Sequence, residues 1–105
     1  YGNRGGDVIS GGAGADTLFG GQEADTLFGG AANDVLHGNL GADLFVVDSG
    51  ADTIPDFDAT AGDLISGTAV SWVDSAGSVI VTLDNGATLE LPCYSTAEMS
   101  TAWFI

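Results

Sequence analysis

Residues 11–46 read GGAGADTLF, GGQEADTLF, GGAANDVLH and GNLGADLFV, four consecutive stretches of nine residues. In each stretch a glycine-rich segment precedes an aspartate, and a large apolar residue follows two positions after that aspartate. The repeating unit is G-G-x-G-x-D-x-U-x, with U a large apolar residue, and it predicts a solenoid of stacked coils. The same spacing extends in both directions, so six aspartates share one phase: Asp7, Asp16, Asp25, Asp34, Asp43 and Asp52.

The two halves of the unit predict a tight turn and a short strand. Six glycine-rich residues can turn sharply because glycine accepts positive φ and lets carbonyl groups approach closely. Three residues, such as 17–19, form a minimal strand whose middle side chain points inward, since side chains alternate faces along a strand. Two units make one coil of 18 residues. We therefore expect two facing parallel sheets, one stacking Ile9, Leu27 and Phe45 and the other stacking Leu18, Leu36 and Ile54.

The composition combines strong acidity with a large apolar fraction. Fifteen acidic residues face one basic residue, Arg4, which gives a formal net charge of −14, while 45% of the residues are hydrophobic. The chain is too apolar to be disordered, and without a basic patch it is not expected to bind nucleic acid or an anionic membrane. The single cysteine, Cys93, excludes an internal disulfide and is interpreted as a free thiol. We therefore expect metal ions to stabilise this small chain.

The repeat resembles the RTX, or hemolysin-type, calcium-binding nonapeptide, closely over residues 2–46 and more loosely over residues 47–55. Calcium also suits the residues themselves, because it takes about six to eight oxygen ligands and accepts both carboxylates and backbone carbonyls. Softer metals have only His37 and one thiol to bind. The resemblance implies an all-β fold, a parallel β-roll or right-handed β-solenoid, in which each ion joins one turn to the turn one coil later.

By position, the resemblance implies about three to four calcium ions, each held by two aspartates and several carbonyls. The first ion pairs Asp7 with Asp25 and uses the carbonyls of Asn3, Gly5, Gly20 and Gln22. The second pairs Asp16 with Asp34 and uses those of Gly12, Gly14, Gly29 and Ala31. The third pairs Asp25 with Asp43 and uses those of Gly21, Glu23, Gly38 and Leu40. A weaker fourth pairs Asp34 with Asp52 and uses those of Gly30, Ala32, Val47 and Ser49.

Two residues of the third and fourth sites depart from the repeat. Glu23 and Ala32 stand where the unit prefers its third glycine. If that position requires positive φ, a residue with a Cβ atom costs on the order of 1 kcal/mol there. The first two sites keep glycine at this position.

The segment after the repeats loses the spacing of nine, because Ala61 stands where the next aspartate is due. Asp56-Phe57-Asp58 and Asp63-Leu64-Ile65 resemble the D-F-x-x-x-x-D-x-I segment that follows the repeats in RTX proteins. Its acidic groups either complete a last calcium site or form a solvated loop. We accordingly divide the chain into a β-roll over residues 1–62 and a C-terminal cap over residues 63–105.

Alternating apolar residues in the cap predict antiparallel strands at Val70–Val73, Val79–Leu83 and Ala87–Leu91. Turns are predicted at residues 76–77 and, more strongly, at Asp84-Asn85-Gly86. Ser95 and Glu98 form a capping box that predicts a short C-terminal helix through Ala102. The inward side chains expected to pack together across the cap are Val79, Val81 and Leu83 with Leu89 and Leu91.

These features predict a calcium-binding module without catalytic activity. The chain lacks H-E-x-x-H and G-x-S-x-G motifs, and its one histidine, His37, is predicted to lie on the outer face of the roll. The resemblance implies the C-terminal folding and secretion region of a larger exported protein, handled by type I secretion machinery and folding in extracellular calcium. The opening inside a repeat, at Tyr1 and without methionine, agrees with such a parent chain. We expect the isolated module to be monomeric.

Three interpretations stay open at this point. The apolar Trp103-Phe104-Ile105 either belongs to the secretion signal or closes the core of the cap. A carbohydrate- or surface-binding module, similar to the accessory modules of alginate epimerases, is the alternative function, with Arg4, Phe19, Phe28 and His37 as its candidate contacts. A third class is a calcium-free β-solenoid with a structural or ice-facing role, which predicts no response to chelators.

Overall fold

The computed structural model describes residues 5–47, 49–75, 77–92 and 103–104. Over these residues the chain is an all-β parallel roll with a few antiparallel strands at its C-terminal end. Among the described residues up to 92, the one helical element is a 3₁₀ helix at Ala59–Ala61. The strands are β1 (Val8–Ser10), β2 (Thr17–Phe19), β3 (Thr26–Phe28), β4 (Val35–His37), β5 (Leu44–Val46), β6 (Ala51–Thr53), β7 (Leu64–Ser66), β8 (Ala69–Ser75), β9 (Ser78–Leu83) and β10 (Thr88–Pro92).

The repeat strands alternate between two sheets, which confirms the predicted architecture. Sheet 1 has the order β1-β3-β5-β7, and sheet 2 has the order β2-β4-β6-β10-β9-β8. Neighbouring repeat strands are parallel and shifted by 18 residues, so Ile9 lies opposite Leu27 and Leu18 lies opposite Leu36. Nine residues therefore take the chain from one sheet to the other, and eighteen residues bring it back to the same sheet.

Each repeat contributes one inward side chain to the core, from its strand or, for Ile54, from the residue after β6. Leu27, Leu36, Phe45 and Ile54 are 0% exposed, while the flanking residues of the strands are exposed or half-buried. Full burial of one such side chain contributes about 1.5–3 kcal/mol, and ordering one residue's backbone costs about 1–2 kcal/mol. With one core side chain for every nine residues, burial alone cannot offset the cost of ordering the turns.

The roll extends one strand beyond the last regular repeat. Strand β7 pairs with β5 in parallel, and Ile65 lies opposite Phe45. Asp63 takes the place of the next repeat aspartate, but it follows Asp43 by 20 residues, and the longer turn contains the 3₁₀ helix. Strand β7 thus continues sheet 1 past residue 62, where the sequence placed the end of the roll.

The three cap strands continue sheet 2. Strand β8 pairs with β9 and β9 with β10 in antiparallel fashion, while β10 pairs with β6 in parallel. The turn predicted at 84–86 joins β9 to β10: the Leu83 N–H donates to the Ala87 carbonyl at 2.9 Å, and Gly86 has a φ of 88°. The inward side chains are buried as predicted, namely Val79, Val81, Leu83, Leu89 and Leu91.

The described C-terminal residues pack on the end of the roll. The Trp103 ring lies 5.3 Å from the buried Phe57 ring, and Phe104 stacks on Trp72 and bridges to Ile65 of β7. The predicted helix over residues 95–102 and Cys93 lie outside the described residues. No helix in the described part of the chain is long and apolar enough to cross a membrane.

Candidate metal centre

The repeat aspartates line the two edges of the roll, where the chain turns from one sheet to the other. The Asp7 edge carries Asp7, Asp25 and Asp43, and the Asp16 edge carries Asp16, Asp34 and Asp52, because alternate turns lie on opposite edges. The space between two successive turns of one edge is called a gap. Gap I lies between Asp7 and Asp25, gap II between Asp16 and Asp34, gap III between Asp25 and Asp43, and gap IV between Asp34 and Asp52.

One oxygen of each downstream carboxylate is used to join the coils. In every gap the backbone N–H of the first aspartate donates to Oδ1 of the aspartate 18 residues later, at 2.8 Å in gaps I, II and IV and 2.9 Å in gap III. Each carboxylate is therefore held in one orientation by the coil before it.

The other carboxylate oxygen has no such donor. Oδ2 of Asp7, Asp16, Asp25, Asp34 and Asp43 is buried and has no hydrogen-bond partner among the residues that the structure describes. An ionised oxygen without a donor is costly to bury, by several kcal/mol, unless positive charge lies beside it. The described residues contain no lysine or arginine, since the single basic residue, Arg4, lies outside them. The described residues thus supply no positive charge to these carboxylates.

Backbone carbonyl groups point into the same gaps from both sides. In gap II the Gly12 oxygen faces forward and accepts the Ala31 N–H at 3.0 Å, and the Gly29 oxygen faces back, 2.7 Å from the position a Cβ would take on Gly11. In gap III the oxygens of Gly21 and Glu23 face forward, and the Gly38 oxygen faces back toward Gly20. Carboxylate and carbonyl oxygens are the ligands that calcium prefers.

Close contact between successive turns explains the glycines. A Cβ on Gly20 would lie 2.6 Å from Asp25 Oδ2 and 2.8 Å from the Gly38 oxygen, so the first position of the turn has no room for a side chain. The second and fourth positions of the turns instead adopt positive φ, as at Gly12 and Gly14, with φ of 88° and 89°.

Glu23 and Ala32, which replace the third glycine of the repeat, do adopt positive φ. Glu23 and Ala32 have φ of 73° and 75°, so each residue carries the Cβ penalty of the left-handed region. Asn39, at the second position of its turn, also has positive φ, of 66°, and asparagine tolerates this region better than most residues. The strain at Asn39 was not anticipated from the sequence.

The remaining predicted ligands lie in the same turns. Among them Asn3 lies outside the described residues. Among the described residues no three carboxylate, imidazole or thiol side chains converge on one point. A site made from these turns therefore rests on two carboxylates and on backbone carbonyls, which a hard cation of flexible geometry accepts. The other predicted ligands within the turns are Gly5, Gly14, Gly20, Gln22, Ala31 and Leu40.

The turn at 56–63 closes the Asp7 edge with carboxylates that have donors. Asp63 is 2% exposed, and it accepts the Asp43 N–H on Oδ1 at 2.8 Å and the Asp58 N–H on Oδ2 at 2.9 Å. Asp56 accepts the N–H groups of Gly38 and Asn39 at 3.1 and 2.8 Å. At this end of the edge, backbone N–H donors thus satisfy carboxylate oxygens of the kind that have no donor in the gaps.

Burial perturbs two carboxylates of the Asp7 edge. It raises the pKa of Asp43 to about 6, and the charges of Asp63, Asp25 and Asp56 act in the same direction. Burial likewise raises the pKa of Asp63. At the exposed Asp58 the hydroxyl of Thr60 donates to the carboxylate and lowers its pKa. Burial thus makes the ionised forms of Asp43 and Asp63 costly.

His37 lies on the outer face of sheet 2. Its ring stacks on Phe19 with 4.7 Å between the ring centroids and 7° between the planes. Both residues are half-buried and lie on the opposite side of the sheet from the inward core. His37 therefore takes no part in the gaps.

Comparison with known proteins agrees with this geometry. A family model described as the RTX calcium-binding nonapeptide repeat (4 copies) matches residues 1–36 and again residues 19–54 of the 105-residue chain. No curated protein matches the chain. One similar solved structure is the solution structure of the AlgE6R3 subunit from the Azotobacter vinelandii mannuronan C5-epimerase, with a TM-score of 0.56 and 20% identity over 99% of this chain and 82% of that one. At this identity the likeness shows the fold alone.

Proposed function

The chain belongs to the RTX calcium-binding nonapeptide repeat family, and from this premise we propose that it is a module whose roll folds when calcium binds in gaps I to IV. The proposal rests on one observation above all, the buried Oδ2 atoms without donors on both edges of the roll. Calcium supplies divalent positive charge at these oxygens. The aspartates and turn carbonyls predicted from the sequence are the proposed ligands, except Val47, whose carbonyl accepts a hydrogen bond from Asn85. The carbonyls of gaps II and III that face inward support this set.

The metal-free chain is proposed to be largely unfolded. Successive carboxylates on one edge lie one strand spacing apart, about 5 Å, so their charges repel in the absence of a cation. The thin core does not offset this repulsion together with the cost of ordering the turns. Binding energy and folding energy are then one quantity, as in other small metal-dependent domains.

This coupling supports a role outside the cell. Free calcium is scarce in the cytosol, and extracellular calcium modules bind at roughly 10⁻⁴–10⁻³ M, so such a chain stays unfolded inside and folds after export. We infer that the module is the C-terminal folding and secretion region of a larger exported protein, delivered by type I secretion machinery. The activity of that protein then resides upstream, and this module contributes no catalytic residue.

Far-UV circular dichroism during a calcium titration tests the proposal. The EDTA-treated chain is expected to lack the β-sheet signal and to gain it cooperatively as calcium rises through the millimolar range. Magnesium at the same concentration is the matched control, because it demands stricter octahedral geometry and dehydrates reluctantly. A chain that keeps its sheet signal in EDTA would rule out calcium-dependent folding.

A second candidate is a carbohydrate- or surface-binding module. It is favoured by the stacked Phe19 and His37 rings, which form a half-exposed aromatic strip on the outer face of sheet 2. Apolar faces of sugar rings pack on such side chains. A glycan array probed in calcium discriminates the two, because the folding module requires no ligand, and Phe19→Ala abolishes glycan binding only if the strip is the contact.

A further inference from the structure

The turn that ends the Asp16 edge begins differently from the others. Its first position is Val47, where the preceding turns have Gly11, Gly20, Gly29 and Gly38. A Cβ at this position of a regular turn meets the turn's own aspartate: it would lie 2.8 Å from Asp16 Oδ2 on Gly11 and 2.7 Å from Asp34 Oδ2 on Gly29. Valine therefore cannot occupy the position a glycine takes, and the start of this turn must move.

The carbonyl of Val47 is also displaced from the gap. In gaps II and III the first-position carbonyl of the later turn faces back, 2.7 and 2.8 Å from the Cβ positions of Gly11 and Gly20. In gap IV the corresponding point is the Cβ position of Gly29. The three atoms nearest to it all belong to Asp34, at distances up to 3.4 Å, so the Val47 oxygen is no closer than 3.4 Å to this position. The Val47 side chain itself is 1% exposed and belongs to the core.

Asn85, in the cap hairpin, holds this displaced carbonyl. Its Nδ2 donates to the Val47 oxygen at 3.1 Å, and its Oδ1 accepts the Ala87 N–H at 2.9 Å, which fixes the side chain in the turn between β9 and β10. The Thr88 N–H donates to the Gly50 oxygen at 3.0 Å and docks the hairpin on the same turn.

Gap IV keeps two features of the other gaps. The Asp34 N–H donates to Asp52 Oδ1 at 2.8 Å, and the Ala32 oxygen faces forward against Gly50, as in gap III. Two other contacts differ. The Gly29 N–H lies 3.4 Å from the Val46 oxygen, against 2.9 and 2.7 Å at the equivalent bonds of Gly11 and Gly20. The Gly30 oxygen accepts the Ser49 hydroxyl at 3.4 Å, whereas the Gly12 and Gly21 oxygens accept backbone N–H groups. Relative to gaps II and III, the Val47 oxygen is thus withdrawn from gap IV.

We propose that Asn85 sets the calcium affinity of gap IV by keeping the Val47 carbonyl out of it, so that gap IV is the weakest of the four sites. This inference rests on the proposed function, since it assumes that the gaps hold calcium. It also assigns to the cap a role in metal binding in addition to covering the core. Turning the carbonyl back into the gap requires breaking the Asn85 hydrogen bond, which lowers calcium affinity about two- to tenfold.

Calcium titration calorimetry on the whole chain tests the inference with Asn85→Ser. Serine keeps an acceptor for the Ala87 N–H but is too short to reach Val47. The weakest class of calcium sites is expected to tighten about two- to tenfold while the other classes stay unchanged. Gly86→Ala is the matched control: it strains the same turn, whose Gly86 φ is 88°, but leaves the Asn85 contact in place.

Asp52→Asn provides an independent measurement. It retains the oxygen that accepts the Asp34 N–H and removes a charged ligand of gap IV, so it is expected to abolish the weakest class and to spare the tight ones. Loss of a tight class in Asp52→Asn, or a weakest class unchanged in Asn85→Ser, overturns the inference. If no calcium binding is found in the wild-type chain, the proposed function itself fails, and the two outcomes are thereby distinguished.

Discussion

Replacing Asp25 by asparagine should change the stability of the roll in opposite directions with and without calcium. Asp25 is 2% exposed and borders both gaps of the Asp7 edge. An asparagine oxygen can still accept the Asp7 N–H. Its amide nitrogen then lies where Oδ2 was, and Oδ2 and the Gly38 oxygen both lie within 2.8 Å of one point, the Cβ position of Gly20. The substitution therefore removes a buried charge without a donor and places a donor group on the same side of the turn as the Gly38 carbonyl.

The magnitude follows from the spacing of the coils. Two charges about 5 Å apart repel by about 1 kcal/mol at the dielectric constant of water and by about 3 kcal/mol at an effective value of 20. Asp25 has two such neighbours, Asp7 and Asp43, so Asp25→Asn should stabilise the metal-free roll by at least about 2 kcal/mol. In calcium the same change removes a charged ligand from gaps I and III, and the calcium midpoint should rise about tenfold or more.

Circular dichroism in EDTA and calcium titration calorimetry measure the two effects. Asp84→Asn is the control, because it makes the same change in charge at an exposed position of the cap hairpin. If the Asp25 variant is as unfolded in EDTA as the wild type, or folds at the same calcium concentration, the carboxylates do not oppose folding in the way argued here.

Three further outcomes are expected. Glu23→Gly and Ala32→Gly should each raise the free energy of unfolding in calcium by about 1 kcal/mol, because they relieve φ of 73° and 75°, whereas Gly14→Ala should lower it; thermal melts measure all three. Folding raises the pKa of Asp43 from 3.8 to about 6, so the metal-free roll takes up a proton between these values and loses stability as pH rises through that window. Calcium needs the ionised form, so gap III should bind about tenfold more weakly at pH 5 than at pH 7.5, a difference that calorimetry at the two pH values would detect. Leu36→Ala, at a fully buried core position, should cost about 2–5 kcal/mol in chemical denaturation at saturating calcium, and a cost under about 1 kcal/mol would contradict the assigned core.

The regular part of the fold could be predicted because its information is periodic. Aspartates nine residues apart, each followed by an apolar residue two positions later, suffice to place the first five repeat strands and to divide the strands between two sheets. The sixth strand, β6, begins two residues before the position that the pattern predicts. The hairpin at Asp84-Asn85-Gly86 was also predictable, since its turn residues are local signals. The positive φ of Glu23 and Ala32 followed from comparing each unit with its neighbours.

The end of the roll could not be predicted in the same way. Two additional residues before Asp63 break the period, so the last coil is recognised only from the pairing of β7 with β5. The pairing of β10 with β6 joins residues far apart in sequence, and no local pattern encodes it. The contact between Asn85 and Val47 depends on that pairing. The sequence signs that the last turn differs are Val47 and Asp48, which stand where the other turns mostly have glycine.

The aspartate ladders have a consequence for how the response to calcium is tuned. Asp25 belongs to both gaps of one edge and Asp34 to both gaps of the other, while no aspartate serves both edges. If the gaps bind calcium as proposed, each edge is a short one-dimensional row of sites in which neighbouring sites share an aspartate. Lengthening the chain by a coil adds one site to each row. The number of repeats would then set how steeply folding responds to calcium, and the oxygen ligands of each gap would set the calcium concentration at which folding occurs.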